Sequence, residues 1–118
     1  MRFRFFLTPR FDRTVRKLKR RFPRINHDLT RAFTEIEEDP EAGVIIPDDF
    51  AIRKLRIASV DMQRGKSGGF RLLYKLIPKE DEELRAVLLF IYAKADQPDV
   101  PSSFLETLSD ELPDDDST

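Results

Sequence analysis

The chain has 118 residues, a usual size for one domain, and its 21 basic and 22 acidic residues leave a net charge of −1. It has no cysteine, which excludes disulfides and thiolate metal sites. No apolar run approaches the roughly 20 residues that span a bilayer, and the N-terminus lacks the apolar core of a secretory signal. We therefore expect a cytoplasmic protein without a membrane partner, with one domain over residues 1–112 and an acidic, disordered tail over residues 113–118.

Charge is segregated along the chain. Residues 1–31 carry eleven basic and two acidic residues (+9), and residues 51–79 carry eight and one (+7). Residues 35–50 carry seven acids and no base (−7), and residues 80–118 carry twelve acids and two bases (−10). Such blocks either neutralise one another across the fold or create a basic surface for an anionic partner. Both interpretations stay open at this point.

The first part of the chain predicts a strand and two helices. Arginine alternates with phenylalanine over residues 1–7, which is typical of a short edge strand. Thr8 and Pro9 then form a typical helix start, with a capping hydroxyl before a proline at the first helical position. Apolar residues at steps of three and four predict one helix up to Pro23 and a second that ends against Pro40, packed as a hairpin.

The second part predicts three strands and a short helix. A loop is expected to pack Val44 to Ile46 beneath the sheet. Arg53–Ala58 and Gly69–Ile77 predict two strands, and Leu84–Lys94, apolar on both faces, predicts the central strand. A last helix is expected to begin at Ser103 as its cap. The order β-α-α-β-β-β-α predicts an α+β domain with a mostly antiparallel four-stranded sheet and the helical hairpin on one face.

The strands around residues 53–77 bring basic residues to one face. Lys54 and Arg56 point to the same side of an extended chain, and Arg71 points to the matching side of the next strand. If the two strands pair as a hairpin, Lys66 in the connecting loop joins them. The end of the last strand adds two further side chains on a common face, Tyr92 and Lys94. Such a cationic, partly apolar surface is suited to a phosphate group.

Three common kinds of site are not predicted. GKS at residues 65–67 is not a nucleotide-binding P-loop, because Val60 stands where the motif needs glycine and a strand follows instead of a helix. The lone His27 lies off the apolar face of its helix, so we expect it at the surface, without a catalytic role. One histidine and scattered carboxylates match no metal-ligand spacing. We therefore predict no metal site and no cofactor.

Several segments together resemble the RelE/ParE superfamily of toxins from type II toxin-antitoxin systems, in its RelE-like and HigB-like branch. The resemblance covers about Arg2 to Leu112 and is carried by TPRFDRTVRKL, EEDPEAG, IRKLR, GKSGGFRLLY and LLFIYAKADQPDV. It implies a compact sheet with helices on one face and an mRNA-cleaving site on the other. It also implies action on translating ribosomes, inhibition by a cognate DNA-binding antitoxin, and a homodimer or a toxin–antitoxin complex.

The resemblance also implies roles for individual residues. The family's basic strand residues correspond to Lys54 and Arg56, and its arginine after the glycine-aromatic step corresponds to Arg71. Its basic residue at the end of the last strand corresponds to Lys94. The catalytic candidates are therefore Arg71, Lys54 and Lys94, and the RNA-binding candidates are Arg53, Arg56, Arg64, Lys66 and Tyr92. The chain departs from the family at Ala95, where RelE has arginine, and at Pro101, which stands approximately where members have tyrosine.

The chemistry of RNA cleavage suggests a role for each of these side chains. When a ribose 2′-hydroxyl attacks the neighbouring phosphorus, negative charge builds on the phosphoryl oxygens, and Arg71 offers them a permanently charged planar fork. A lysine crowded by other cations has a lowered pKa, which makes Lys54 or Lys94 the candidate acid or base. Tyr92 either stacks on a base or donates its hydroxyl, or it is a core aromatic with a polar tip.

Two other functions stay open. A ParE-like member would bind and inhibit DNA gyrase without cutting RNA. A degenerate toxin would be retained as a binding module, which Ala95, Pro101 and the acidic C-terminal block favour.

Overall fold

The computed structural model describes residues 2–63, 65–66 and 68–113. Within that part of the chain the protein is an α+β domain, as predicted. Its elements in chain order are β1 (Arg2–Leu7), α1 (Pro9–Lys19), α2 (Ile25–Glu38), β2 (Val44–Ile45), β3 (Arg53–Ile57), β4 (Phe70–Lys79), β5 (Glu83–Ala93) and α3 (Ser102–Asp110). The predicted acidic tail lies outside the described residues from position 114 onward.

The sheet is larger and more mixed than predicted. Its five described strands have the order β1-β5-β4-β3-β2, so β4 and not β5 is central. Strand β1 runs parallel to β5, and the other neighbouring strands are antiparallel. The prediction of a four-stranded sheet is wrong because it took Val44 to Ile46 for a buried loop. Val44 and Ile45 form an edge strand and are 73% and 44% exposed.

Helices cover both faces of the sheet. Helices α1 and α2 pack on one face, as expected for the hairpin, through apolar residues that include Phe11, Leu18, Ile25, Leu29 and Ile36. Helix α3 packs on the opposite face, where Leu105 and Leu108 join a second cluster with Leu73, Val87, Leu89 and Tyr92. Among the helices of the described residues, none combines the length and hydropathy of a membrane span. The face that carries α3 is also the face of the basic residues on β3 and β4.

The predicted start of α1 is confirmed and that of α3 is wrong. The Thr8 hydroxyl accepts a hydrogen bond from the Phe11 N–H (3.2 Å) and donates one to the Leu88 carbonyl (3.0 Å), which ties the helix start to β5. Helix α3 has Pro101 as its N-cap residue, so Ser103 already lies inside the helix. Pro101 has extended backbone angles that suit a cap position but supplies no capping side chain.

Oppositely charged blocks of the sequence meet across the fold. Arg10 of the first basic block is paired with Glu111 of the last acidic block (2.6 Å), and Arg21 with Asp96 (2.6 Å). These pairs are at least partly solvent-exposed, so each contributes little to stability. They nevertheless show that neutralisation between blocks accounts for part of the segregated charge.

The turn into β4 depends on a glycine. A Cβ atom at Gly69 would lie 2.0 Å from the Ile57 carbonyl oxygen and 3.1 Å from the Ser59 backbone nitrogen. The missing side chain therefore lets the end of β3 approach the start of β4. Gly65, in the same connection, has no atom within 4 Å of an added Cβ.

We predict that Gly69→Ala destabilises the protein by about 1–3 kcal/mol, because the added methyl group would force β3 and β4 apart. Gly65→Ala is the matched control and should leave the free energy of unfolding within about 0.5 kcal/mol of the wild type. Urea denaturation followed by circular dichroism measures both. Equal stabilities for the two variants would show that the Gly69 contact does not hold the hairpin.

Candidate functional site

Three neighbouring strands bring the predicted basic residues together. Arg56 on β3 lies opposite Arg71 on β4, and Arg71 lies opposite Tyr92 on β5. Directly paired residues point to the same face of a sheet, so these side chains share the α3 face. An open cavity of about 630 Å³, here called the basic cavity, is lined by Lys54, Arg56, Lys66, Arg71 and Lys94. Its lining also includes Glu35, Ala42, Val44, Leu55 and Pro98, so the cavity extends from the α3 face towards α2.

Local structure explains how these side chains reach the basic cavity. Lys54 and Arg56 alternate with the buried Leu55 and Ile57 along β3, so packing of the apolar pair turns the cations to the opposite face. Lys94 directly follows β5, and its N–H donates to the Gly69 carbonyl (2.9 Å). This bond places Lys94 beside the start of β4. The strand register therefore determines where the charges converge.

Arg71 forms an inner wall of the basic cavity. It is 5% exposed, and its Nη1 donates to the carbonyl of Lys66 (2.9 Å) and to that of the preceding residue, Phe70 (3.1 Å). Burial, followed by repulsion from Arg56, lowers the pKa of Arg71. A guanidinium stays protonated despite such a shift. The hydrogen bond to Lys66 also links the loop to the strand that carries Arg71.

Two lysines of the basic cavity are already paired with carboxylates of the chain. Lys54 Nζ lies 3.3 Å from Asp99 Oδ1, and Lys66 Nζ lies 3.1 Å from both carboxylate oxygens of Glu35. A hydrogen bond from the Val100 N–H, together with Lys54 and Lys94, lowers the pKa of Asp99. The charge of the cavity is therefore partly balanced from within the chain.

The sequence interpretation missed both of these acids. Glu35 lies between the buried Ala32 and Ile36 on α2, and helical spacing alone could have indicated that it borders the packed side of the helix. Asp99 lies in the irregular loop after β5, for which no sequence pattern predicts a partner. The acid–base role suggested for Lys54 or Lys94 stays a prediction.

Arg53 lies away from the basic cavity. Because side chains alternate along β3, it points to the face opposite Lys54, and its Nη1 donates to the carbonyls of Gly43 (2.8 Å) and Glu41 (3.4 Å). It lines a different cavity near β2. The structure therefore does not bring Arg53 to the other RNA-binding candidates. Arg64 lies outside the described residues.

Tyr92 belongs to the core more than to the surface. It is 3% exposed, packs in the cluster beneath α3, and its ring centroid lies 6.1 Å from that of Phe90. Its hydroxyl has no hydrogen-bond partner among the described residues. Burial, with a smaller effect of the Asp99 charge, raises the pKa of Tyr92 to about 12. In this arrangement the ring is covered and cannot stack on a base, and the hydroxyl is buried as well.

Two further kinds of site were weighed from the sequence, a catalytic histidine and a metal site. His27 is exposed on α2, as predicted. In residues 2–113, apart from the two positions that are not described, no three histidine or carboxylate side chains are grouped as a metal site would need. His27 is followed by the buried Asp28, which borders a second, smaller cavity.

No family model matches the sequence, and no curated protein matches it either. The resemblance to the RelE/ParE superfamily therefore rests on the sequence segments quoted above.

We predict opposite effects on stability for removing the two tyrosine hydroxyls. Tyr92→Phe removes a buried hydroxyl without a described partner and should raise the free energy of unfolding by about 1 kcal/mol. Tyr74→Phe is the matched comparison, because the buried Tyr74 hydroxyl accepts from the Gly43 N–H (2.9 Å) and donates to the Pro40 carbonyl (2.7 Å). Its removal should cost about 1–3 kcal/mol.

Chemical denaturation of both tyrosine variants under one set of conditions provides the measurement. If Tyr92→Phe were as destabilising as Tyr74→Phe, the hydroxyl of Tyr92 would be making a stabilising hydrogen bond in the folded protein.

Proposed function

We propose that the chain is the toxin of a type II toxin-antitoxin system, a RelE-like or HigB-like endoribonuclease that cleaves mRNA on the ribosome. The observation that supports this most strongly is the convergence of five described cations on the basic cavity. They come from β3, β4, the connecting loop and the residue that follows β5. A surface of this kind suits the closely spaced phosphates of RNA.

In the proposed reaction, the ribose 2′-hydroxyl attacks the adjacent phosphorus and the 5′-oxygen of the next nucleotide leaves. Arg71 binds the phosphoryl oxygens as their negative charge increases, and its fixed position means that little reorganisation is needed. Arg56 binds a flanking phosphate. Lys54 and Lys94 are the candidates for removing the proton from the 2′-hydroxyl and returning one to the leaving oxygen.

The proposed partners follow from the same surface. Messenger RNA, presented by the ribosome, would displace Asp99 and Glu35 from Lys54 and Lys66. A cognate antitoxin would use an acidic or apolar segment to cover the basic cavity and so keep RNA out. Both partners compete for the same cations, which explains how one binding event would inhibit the other.

A RelE-like fold that is retained as a binding module is the second candidate. The ion pairs of Lys54 with Asp99 and of Lys66 with Glu35 favour it, because they reduce the net positive charge available to RNA. Ala95 and Pro101, where the family has arginine and tyrosine, favour it as well. A ParE-like inhibitor of DNA gyrase would stop growth without creating new 5′ ends in mRNA.

We predict that induced expression of the wild-type chain stops growth and translation and creates new 5′ ends in ribosome-bound mRNA. Arg71→Ala should lower the cleavage rate by about 10²–10³-fold, the usual effect of losing one well-placed oxyanion donor. Arg53→Ala is the matched control, because Arg53 also donates to carbonyls but lies on the other face of the sheet. Primer extension on the purified ribosomal fraction, at equal protein levels, measures the cleavage.

Three results would contradict the nuclease. Normal growth with folded wild-type protein present would exclude a toxin. Arrest without new 5′ ends, but with gyrase inhibition, would identify a ParE-like protein, and RNA binding without cleavage would identify a binding module. Because Arg71 is buried, Arg56→Ala serves as a second variant on an exposed side chain. It should weaken RNA binding without loss of the fold.

We also predict that the two internal carboxylates compete with RNA. Glu35→Gln and Asp99→Asn each release a lysine, so each should strengthen binding of single-stranded RNA and steepen its salt dependence by up to about 0.7 in the slope of log K against log salt. Glu106→Gln is the control, because Glu106 is exposed on α3 and the same unit of charge is removed there. Fluorescence anisotropy at several salt concentrations measures all three, and equal slopes would contradict the competition.

A further inference from the structure

A second, smaller cavity adjoins the basic cavity. It has a volume of about 140 Å³ and shares Glu35, Arg56 and Lys66 with its larger neighbour. The rest of its lining comes from α2 and from the end of β3: Asp28, Arg31, Ala32, Ile57 and Ala58. A ligand whose phosphate lies in the basic cavity could therefore place an attached group in this smaller space.

Asp28 is the distinctive polar group of the smaller cavity. It is 2% exposed, and its two carboxylate oxygens accept from the Val60 N–H at 3.3 and 3.4 Å. A carboxylate has about four acceptor positions. Because the two oxygens of Asp28 share one N–H, they can accept further hydrogen bonds. Among the described residues no cation pairs with Asp28 within 4 Å, and burial raises its pKa by more than the nearby charges of His27 and Arg31 lower it. Burial of such a weakly paired charge is costly. A ligand that donates N–H groups would offset that cost.

Burial also raises the pKa of Asp28, against a smaller opposite effect of the Val60 hydrogen bond. This agrees with a carboxylate held in a poorly solvated position. The proposed cleavage mechanism assigns no role to the Asp28 carboxylate.

Size and polarity restrict the group that would fit. A cavity of about 150 Å³ is known to accept one six-membered aromatic ring, so the space suits a pyrimidine better than a two-ring purine. The side chains of Ala32, Ile57 and Ala58 offer apolar contacts to the faces of a ring. Asp28 supplies hydrogen-bond acceptors, and Arg31 and Arg56 supply donors from the same lining.

Among the pyrimidines, this combination favours cytosine. Its N4 amino group donates, and acidic side chains are its usual partners in proteins. Its N3 and O2 atoms accept and would meet the arginines. Uracil has a carbonyl oxygen in place of the amino group. Two acceptors, that oxygen and the carboxylate of Asp28, would then face each other and could not form a hydrogen bond.

We infer that the smaller cavity is a cytosine-binding pocket, in which Asp28 accepts hydrogen bonds from the N4 amino group of a base whose phosphate lies in the basic cavity. This inference rests on the proposed function, because it makes the bound nucleotide part of an RNA. It assigns to the toxin a preference for cytosine next to the phosphate that it binds.

The test compares two mononucleotides that differ only in the base. Chemical-shift titrations of the ¹⁵N-labelled protein with cytidine 5′-monophosphate and uridine 5′-monophosphate should give tighter binding of the cytidine nucleotide, by about tenfold. The largest shifts should fall on the backbone amides of Asp28, Val60 and Ala58. Both ligands carry the same phosphate, so the difference between them isolates the base.

Asp28→Asn should reverse the preference. The asparagine carbonyl can still accept from the Val60 N–H, while its amino group can donate to the uracil carbonyl. Asp61→Asn is the matched control, because Asp61 attaches the same loop to α2 through the Arg24 N–H (2.7 Å) and side chain (2.8 Å) but does not line the smaller cavity. It should leave the preference for cytidine unchanged.

Ala58→Leu provides a second variant in case Asp28→Asn does not fold. The larger side chain should fill the smaller cavity, abolish the difference between the two nucleotides and leave binding of inorganic phosphate in the basic cavity intact. Equal affinities of the wild type for the two nucleotides, or a preference unaffected by both variants, would overturn the cytosine pocket.

These outcomes are separate from those of the proposed function. A cytidine preference that depends on Asp28 in a protein that does not cleave mRNA would support the pocket and contradict the nuclease. Cleavage of ribosome-bound mRNA without any enrichment of cytosine at the cut sites, with equal binding of the two nucleotides, would support the nuclease and contradict the pocket.

Discussion

The antiparallel pairing of β3, β4 and β5 is the constraint on which the candidate site depends. It sets Arg56 opposite Arg71 and Arg71 opposite Tyr92, and it brings Lys94 to the start of β4 through the bond to Gly69. A shift of one residue in this register would turn the cations into the core beneath α1 and α2. The apolar residues that alternate with them oppose such a shift. Packing of the core and assembly of the site are therefore consequences of the same strand register.

Bringing like charges together costs free energy, and the chain reduces that cost with acids from other elements. Asp99 comes from the loop after β5 and Glu35 from α2, and each lies within 3.3 Å of a lysine. These two carboxylates reduce the repulsion among the cations in the free protein. They would have to move away from the lysines for a phosphate to bind there. The acids would thus connect stability with ligand affinity, since more effective neutralisation in the free protein leaves less charge for a ligand.

Sequence patterns predicted the parts of the structure that depend on local geometry. The alternation along β3 and β4 placed Lys54, Arg56 and Arg71 on one face, and the pair Thr8-Pro9 marked the start of α1. Sequence patterns did not predict the features that depend on contacts between distant parts of the chain. The strand Val44–Ile45 is too short for a periodic signal, and the parallel pairing of β1 with β5 joins residues about 80 positions apart. Burial of Tyr92 requires knowledge that α3 covers it.

The burial of Arg71 would strengthen its attraction to a phosphate even though the cavity is partly neutralised. Exposed cations interact with an anion through water, whereas a guanidinium that is 5% exposed acts in a less polar medium, where the attraction is larger. Its position is held by the Lys66 carbonyl, so little entropy is lost when an anion arrives. Arg56 repels it and burial disfavours its charge, as the direction of its pKa shift indicates. A phosphate that reaches Arg71 would relieve both effects, which favours the inner wall of the basic cavity over its more accessible lysines as the centre of any chemistry.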